Sequence, residues 1–565
     1  MAVLRNFVLL SSSIGAAVAV DLCPIYGAVF PPTKDLSASS TWQTASTQIK
    51  AALDDAFNSG KTSHGPVSLN DTFSIQIFSA QETLFEYYNE GSDLATSGGS
   101  GSKVDGDSVL RVGSVSKLYA VYLLLVVAGD RVFSDPMTKY IPELKGIAHW
   151  DEVSVGALAG QIGGVVADLF DVGPITGGGL GAQFPGVFPE LSQNETSLCL
   201  ANVTHCTRSE FLTTLLKTRT TYLPNTTPGY SNSAFVLIGY IIETITGTTF
   251  NSALETRLLK PLGLSRTFAT TPEDSTIGAI IKNATVSGWD IDLSEATAEG
   301  GIFASASDLS ALGRSILTSK LLSPNTIRAW LKPTSFTSSP IGFVGRPWEI
   351  YRAVLNETQN RVVDIYTKGG NVGVYASSVA LIPDFDIGFT ILVASEKGAY
   401  PYTLSGVLTD ALLPAVEEAA RLEADKAYAG TYRAANINSS VTISSEKGKP
   451  GLTLGSWVSN GTDVFPIFGS PTDFRIYPSN IDDTHIQSNY NETEGERVSW
   501  KAVSGVDLGY NDYGAFSACP TWLEIDRPSW GLYGIDDWVF VLGEDGRVKQ
   551  VEIAALKVVL DRVEG

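Results

Sequence analysis

Hydrophobic and polar positions follow two different periods along the chain, and together they predict a protein of mixed helices and strands. Apolar residues recur at helical spacing in four segments: 45–57, 233–246, 306–319 and 401–424. Strand-like runs occupy four others: 73–78, 83–88, 374–382 and 387–394. A continuous apolar run at 118–128 is too short to cross a bilayer, so it predicts a buried helix that begins near Ser114.

The pattern also predicts the domain organisation. From about residue 427 onward the chain changes to short strands and turns rich in aromatic residues, which predicts an all-β domain over 426–565. Residues 20–425 then form a first, mixed domain. Within it, the glycine-rich stretch 160–207 predicts an irregular insertion of the kind that covers a pocket.

The first residues resemble a secretory signal. Arg5 supplies the positive end, an apolar region covers 7–20, and Ala17-Val18-Ala19 has the small-x-small form that signal peptidase accepts. We therefore expect residues 1–19 to be removed and the protein to be secreted and extracellular, with no membrane anchor.

Composition and charge exclude several functions. Apolar residues make up 44% and charged residues 18% of the 565 residues, which excludes a mostly disordered chain. The net charge of −21 repels phosphate backbones, so nucleic acid is not an expected partner. The expected partner is a small-molecule or peptide-like acyl substrate, and the oligomeric state stays open.

Cysteines and glycosylation sequons point to the same compartment. An even, sparse set of cysteines suits structural disulfides in an oxidising environment. The spacing predicts a local Cys199–Cys206 disulfide and leaves Cys23 to pair with Cys519. Neither these cysteines nor the four histidines have metal-ligand spacing, so no metal and no cofactor is expected. Nine N-x-[ST] sequons predict glycosylation, at Asn70, Asn194, Asn202, Asn225, Asn283, Asn356, Asn438, Asn460 and Asn491.

Ser114-Val115-Ser116-Lys117 is the strongest candidate for chemistry. A serine hydroxyl needs a base beside it to act as a nucleophile. Residues three apart share one face of a helix, so Lys117 is expected next to Ser114 at the start of the buried helix. The S-x-x-K pattern also occurs at 100–103 and 444–447, but those matches lie in a Ser/Gly loop and a polar turn.

Two further motifs follow in order. Tyr230-Ser231-Asn232 lies at a turn before the helix at 233–246, where a phenol can relay protons and an amide can orient a partner. Lys368-Gly369-Gly370 precedes the strand at 374–382, and its glycines let substrate approach the strand closely. Each motif also has a chance match elsewhere, at 87–89 and 449–451, so neither is specific alone.

The three motifs together, in this order, resemble the β-lactamase/penicillin-binding-protein superfamily, and the tyrosine motif resembles its class C and D-alanyl-D-alanine carboxypeptidase/esterase branch. The resemblance covers about 73–424 and includes 129–136, 140–144 and 300–305. It implies an α+β fold, in which an antiparallel sheet is flanked by helices beside a helical subdomain and the site lies between them. The C-terminal all-β domain resembles one that some secreted eukaryotic members carry.

The resemblance also implies roles for individual residues. Ser114 is expected to be the acylated nucleophile, with Lys117 and Tyr230 sharing the acid and base work. Asn232 would orient substrate and Lys117, and Lys368 would stabilise the tyrosine's negative charge or bind a substrate carboxylate. The backbone N–H groups of Ser114 and Asn371 would form the oxyanion hole, beside Gly370.

Two departures from the family bear on specificity. Gly369 replaces the threonine of the usual Lys-Thr-Gly, and 161–164 reads Gln-Ile-Gly-Gly where His-Thr-Ser-Gly is common. We expect the acylation chemistry to survive both changes. The lost hydroxyl, however, predicts that esters are better substrates than lactams.

Three other functions remain alternatives. An acyltransferase or transesterase would use the same site, and a non-catalytic member would serve as a binding protein. A Ser-His-Asp hydrolase is disfavoured because the chain has no G-x-S-x-G elbow, and its histidines have no suggestive setting: His64, His149, His205 and His485. Reaction with a labelled serine-reactive phosphonate separates an enzyme from a binding protein.

Overall fold

The computed structural model describes residues 24–563 except 69, 93, 95–102, 170–185, 190–191, 193–194, 196, 200–205, 292, 356–360, 397–400, 469–473, 484, 487–494 and 504–518. The predicted signal segment 1–19 and Cys23 lie outside these residues. The chain divides into two compact units. The larger unit covers Lys34–Ala353 and Asp364–Val416, and the smaller covers the described parts of Met1–Thr33, Val354–Val363 and Glu417–Gly565.

Helices occupy all four segments in which the sequence shows helical spacing, and also the apolar run at 118–128. They are α1 Ser40–Ser59, α2 Ser116–Ala128, α3 Val155–Ala159, α4 Arg208–Leu215, α5 Ser233–Thr246, α6 Phe250–Leu254, α7 Ala284–Ser287, α8 Ala306–Leu317, α9 Pro324–Trp330 and α10 Pro401–Tyr428. Helix α5 has the predicted bounds because Gly247 ends it in the left-handed conformation. Helix α1 begins earlier than predicted, since Trp42 adds a further buried position to its apolar face.

Strands β1–β13 belong to the larger unit, except for the end of β10 and the start of β11, which fall within Val354–Val363 of the smaller unit. They are β1 Lys61–Thr62, β2 Gly65–Pro66, β3 Thr72–Ser79, β4 Thr83–Asn89, β5 Val109–Arg111, β6 Thr267–Phe268, β7 Phe303–Ser305, β8 Ser335–Phe336, β9 Gly342–Val344, β10 Glu349–Leu355, β11 Arg361–Val372, β12 Tyr375–Ile382 and β13 Ile387–Ala394. Eight form one sheet in the order β4-β3-β13-β12-β11-β10-β9-β8. Its central strands β3, β12 and β13 are buried along their whole length.

An apolar core joins this sheet to the helices. Helices α2 and α5 lie within it, and the side chains of Leu118 and Phe235 are fully buried there. The larger unit is therefore the expected α+β arrangement, an antiparallel sheet packed with helices. Among the described residues, no single helix has both the length and the hydropathy to cross a membrane; Ser233–Thr246 and Phe250–Leu262, bent by 70°, meet that test only as a pair.

The described part of the smaller unit consists mainly of strands, with short 3₁₀ turns and the end of α10, as the change in sequence pattern after residue 427 predicts. Its strands are β14 Gly430–Arg433, β15 Ser440–Ser444, β16 Leu452–Ser459, β17 Thr462–Asp463, β18 Arg475–Asp482, β19 Glu496–Val503, β20 Ser529–Trp530, β21 Tyr533–Gly534, β22 Asp537–Leu542, β23 Val548–Ile553 and β24 Val558–Arg562. Nine form an antiparallel sheet in the order β15-β14-β24-β23-β22-β19-β18-β16-β17, which an additional β15–β16 pairing closes on itself. Trp457, Trp500 and Trp538 lie in its core.

The cysteines and sequons are described in part. Cys199 and Cys206 form a disulfide with Cα atoms 5.0 Å apart, as predicted. Cys519 is also disulfide-bonded, but Cys23 lies outside the described residues, so the Cys23–Cys519 pairing stays a prediction. Five of the sequon asparagines are exposed: Asn70, Asn225, Asn283, Asn438 and Asn460. The other four lie outside the described residues: Asn194, Asn202, Asn356 and Asn491.

Candidate active site

Ser114 lies on a tight turn between β5 and α2. The turn is a 3₁₀ helix over Gly113–Val115, so α2 itself begins two residues after Ser114. The hydroxyl of Ser377 on β12 donates a hydrogen bond of 2.6 Å to the Val112 carbonyl, which ties the turn to the sheet. The serine is thereby held on a rigid element at the junction of the sheet and the helices.

Two glycines let strand β11 approach this turn. Gly113 has φ +50°, and a Cβ on it would lie 2.7 Å from the backbone nitrogen of Asn371. A Cβ on Gly370 would lie 2.1 Å from the Val112 carbonyl oxygen and 2.7 Å from the Ser114 nitrogen. The close approach brings the backbone of Ser114 beside that of Asn371, the two residues expected to supply the oxyanion hole.

Lys117 is fully buried and makes three hydrogen bonds. Its Nζ donates to Ser114 Oγ at 2.9 Å, to Asn232 Oδ1 at 2.6 Å and to the Glu299 carbonyl at 2.6 Å. The i,i+3 spacing that suggested this contact therefore brings the lysine and serine together. Because this contact is direct, at 2.9 Å, the amine is placed to exchange a proton with the serine hydroxyl.

Asn232 is itself oriented by a residue that the sequence did not single out. Its Nδ2 donates to Asp168 Oδ1 at 2.5 Å, which turns its Oδ1 towards Lys117. Asp168 lies in the stretch predicted as an irregular insertion, and no motif marks it. The backbone nitrogen of Asn232 also donates to the Ala167 carbonyl at 2.8 Å, so the two segments are fastened together.

Tyr230 lies between two lysines. Its ring centroid is 5.1 Å from the Nζ of Lys117 and 5.3 Å from that of Lys368. Its hydroxyl interacts with the Ser114 side chain and the Lys368 ammonium, while 46% of the residue stays exposed. Burial of the hydroxyl raises the pKa of Tyr230, but the two ammonium charges outweigh it and the pKa is lowered overall. The phenol is therefore suited to release and regain a proton.

The loop that carries Tyr230 is held by the segment 161–164, in which the sequence departs from the family that it resembles. Gln161 has φ +60°; its carbonyl accepts from Gly229 N and its Oε1 from Ser231 N, both at 2.8 Å. These two bonds flank Tyr230 on either side. Gln161 thus positions the loop, so the residues at 161–164 have a structural role although they differ from the common His-Thr-Ser-Gly.

Lys368 is buried beside a carboxylate that the sequence did not reveal. Its Nζ is 2.5 Å from Glu349 Oε1, and Glu349 Oε2 accepts from Gly369 N at 3.0 Å and from the Tyr402 hydroxyl at 3.1 Å. Burial lowers the pKa of Lys368, but Glu349 and Tyr230 raise it further, so the ammonium form is favoured. Lys368, the cation expected to bind a substrate carboxylate, is therefore already paired with the Glu349 carboxylate.

The chemistry of these groups is that of a Ser–Lys–Tyr site rather than a Ser–His–Asp site. The described histidines bond elsewhere, His64 to Asp410, His149 to Thr220 and His485 to Asp482. Ser114 instead has Lys117 and Tyr230 beside it. Within the part of the chain that is described, no group of three or more His, Cys, Asp or Glu side chains is placed to hold a metal ion.

Comparisons with known proteins place the chain among similar sequences and folds. Residues 81–404 match the family described as Beta-lactamase, and 420–564 match "Beta-lactamase-like-like, C-terminal domain". The chain is 28% identical to a "Beta-lactamase-like protein" of Arthroderma benhamiae, covering 95% of each chain. It is 27% identical to a probable hydrolase of a Phoma species, over 83% of this chain and 81% of the other. A solved class C beta-lactamase is similar over 66% of this chain and 97% of its own, at 16% identity and a TM-score of 0.48.

Proposed function

The chain belongs to the beta-lactamase family, and we propose that within it the protein is a serine hydrolase that works through an acyl intermediate on Ser114. One observation carries the proposal. The Lys117 amine lies 2.9 Å from Ser114 Oγ, and the Tyr230 phenol interacts with the same side chain. A hydroxyl flanked by two proton acceptors is the arrangement that nucleophilic catalysis requires.

The reaction follows from these contacts. Ser114 Oγ attacks an ester or amide carbonyl, and its proton passes to Lys117 or to the Tyr230 phenolate. The carbonyl oxygen becomes an anion that the N–H groups of Ser114 and Asn371 stabilise. As the tetrahedral adduct collapses, the C–O or C–N bond to the leaving group breaks, and the leaving group takes the proton. Water then attacks the acyl ester with the same groups, releasing the acid and free Ser114.

A labelling experiment tests the nucleophile. We expect a fluorophosphonate to modify the purified protein, and Ser114→Ala to abolish both labelling and esterase turnover, the latter by ~10³-fold or more. Ser444→Ala is a matched control, because Ser444 begins another S-x-x-K sequence and is exposed at the end of β15 in the smaller unit. Labelling that survives Ser114→Ala would move the nucleophile elsewhere, and no labelling of the wild type would favour a binding protein.

Transfer of the acyl group to an alcohol or amine instead of water uses the same intermediate. The reaction products therefore distinguish a hydrolase from an acyltransferase. With an ester substrate and a competing alcohol at millimolar concentration, we expect free acid as the main product. A new ester as the main product would make the protein an acyltransferase.

We also propose that the preferred substrates are esters without a carboxylate next to the reacting bond. The Lys368 charge is neutralised by Glu349 at 2.5 Å, so a substrate carboxylate would have to compete with a built-in one. Tyr402 Oη stands 2.5 Å from where a Cβ on residue 369 would lie, in the space of the missing threonine. Bringing a second anion beside Glu349 also costs electrostatic energy.

Kinetics on one preparation test this preference. Losing a hydrogen bond to a charged group costs about 1.5–3 kcal/mol, roughly 10- to 150-fold. We therefore expect kcat/KM for a short p-nitrophenyl ester to exceed that for nitrocefin, which carries a carboxylate, by about two orders of magnitude. Glu349→Gln should narrow the gap by freeing Lys368. Comparable rates for the two substrates in the wild type would contradict the preference.

Secretion and glycosylation remain proposals of ours as well. The Cys199–Cys206 disulfide and the exposed sequons are compatible with an oxidising, extracellular compartment. Sequencing the N-terminus of the protein recovered from culture medium tests the expected removal of residues 1–19. Full-length protein retained in cells would contradict it.

A further inference from the structure

Glu299 is a buried acid at the centre of the site that the reaction above leaves unused. It lies on the π-helical turn Thr297–Gly301, and only 5% of it is exposed. Its backbone carbonyl holds Lys117 at 2.6 Å, whereas its Oε2 has no hydrogen-bond partner among the described residues. A carboxyl oxygen left unpaired in the interior is costly when charged, and such groups concentrate at functional sites.

Two charged groups act on Glu299 from the neighbouring elements. Lys117 on α2 attracts its anionic form, and Asp168, which holds the Asn232 amide, repels it. Burial raises the pKa of Glu299 to about 7, with Lys117 opposing and Asp168 adding to the rise. Lys368, the other cation of the site, is already paired with Glu349. One lysine therefore faces two acids, and near neutral pH Glu299 gains or loses a proton.

The hydrogen bonds of Lys117 suit both of its protonation states without rearrangement. As an ammonium it donates to Ser114 Oγ, Asn232 Oδ1 and the Glu299 carbonyl. As a neutral amine it keeps two N–H donors, which match the two bonds of 2.6 Å, and its lone pair faces Ser114 Oγ at 2.9 Å. Only the neutral amine can accept the serine proton.

We propose that Glu299 is a positioning residue that acts through Lys117 by sharing one proton with it. The states Lys–NH₃⁺/Glu–COO⁻ and Lys–NH₂/Glu–COOH hold the same number of protons and differ only in which atom carries the shared one. The first is an ion pair that blocks attack, and the second is the active pair. The inference rests on the proposed acyl-serine mechanism and concerns the same site.

The pH dependence of Glu299→Gln tests the proposal, because glutamine mimics the protonated acid and cannot form the ion pair. In the wild type, raising the pH towards 7 removes one proton from the Lys–NH₃⁺/Glu–COOH pair, and the remaining proton is divided between the two one-proton states in a ratio that pH does not change. The wild-type kcat/KM should therefore rise with pH and then level off near pH 7. In the variant, kcat/KM should match the wild type below about pH 6 and continue rising. At pH 9 we expect the variant to be faster by about tenfold or more.

Two controls separate this role from a structural one. Glu299→Asp keeps an ionisable group and should keep the plateau. Asp386→Asn removes another acid whose pKa burial raises to about 6, on the turn before β13, and should leave the profile unchanged. Tyr230 also titrates in the site, so the comparison between variants, and not the wild-type curve alone, assigns the effect to Glu299.

The outcomes are distinct. A ratio of variant to wild-type kcat/KM that is constant from pH 6 to 9, with Ser114 still labelled by a phosphonate in both, would overturn the role of Glu299 and leave the proposed function intact. Absence of labelling would overturn the function itself. Should Glu299→Gln fail to fold, a wild-type profile that rises steadily through pH 7 to 9 without levelling would also contradict the shared proton.

Discussion

A threonine at residue 369 is the substitution that best separates two effects in this site: the space that Tyr402 occupies and the charge that Glu349 places on Lys368. The structure predicts that Gly369→Thr alone will not restore a lactamase-like site. Its Cβ would lie 2.5 Å from Tyr402 Oη and 3.3 Å from Tyr402 Cζ. Tyr402 would have to move and give up its hydrogen bond to Glu349, and such overpacking costs about 1–3 kcal/mol.

The double variant Gly369→Thr/Tyr402→Phe removes the closest atom and leaves the ring contact near 3.3 Å, which a small shift relieves. The new hydroxyl then lies beside Lys368 and can hold a substrate carboxylate. A hydrogen bond to a charged group is worth about 1.5–3 kcal/mol, so the ratio of nitrocefin to ester kcat/KM should rise roughly 10- to 150-fold over Tyr402→Phe.

The assay is a double-mutant cycle on that ratio, measured for the wild type, both single variants and the double variant. We expect Gly369→Thr alone to raise this ratio little. The coupling energy between the two substitutions should be about 1 kcal/mol or more. Equal gains in the single and double variants would show that Tyr402 does not occupy the space. No gain in either would refute the role given to the missing hydroxyl.

The remaining predictions concern the base, the oxyanion hole and a buried charge. Lys117→Met and Tyr230→Phe should each slow phosphonate labelling by ~10²-fold or more, and unchanged rates from pH 5 to 9 would contradict the proton relay. Gly370→Ala should lower kcat by ~10²-fold, because its Cβ would lie 2.1 Å from a backbone carbonyl of the nucleophile's turn. Since burial raises the pKa of Glu299 from 4.5 to about 7, its protonated form favours folding and that stability is lost as pH rises through this window. Relative to Glu299→Gln, the wild type should therefore lose about 3 kcal/mol in urea unfolding between pH 4.5 and 8.

Sequence patterns predicted the fold well where the pattern is local. Helix α5 and strands β12 and β13 are continuous apolar segments bounded by turn residues, and they lie within a residue of the expected bounds. Ser114 and Lys117 were found for the same reason, because i,i+3 spacing on a helix is readable from one short segment. Their catalytic roles, and those of Asn371 and Lys368, stay predictions until tested.

The residues that sequence reasoning missed are those whose partners are distant along the chain. Glu349 meets Lys368 across neighbouring strands, and their register is set by the whole sheet. Asp168 lies in a glycine-rich stretch without periodicity, and Asn232 is far from it in sequence. Glu299 had one faint signal, since it directly precedes the Gly300-Gly301 turn, but burial of a lone acid is not visible in a pattern of apolar positions.

The most direct test of the account is to trap the acyl intermediate. Wild-type protein is acid-quenched during turnover of a p-nitrophenyl ester, digested, and its peptides are weighed and fragmented by mass spectrometry. The account predicts the acyl mass on Ser114, and its loss in Ser114→Ala. Steady turnover with Ser114 unmodified, and the acyl group absent or on another residue, would contradict it.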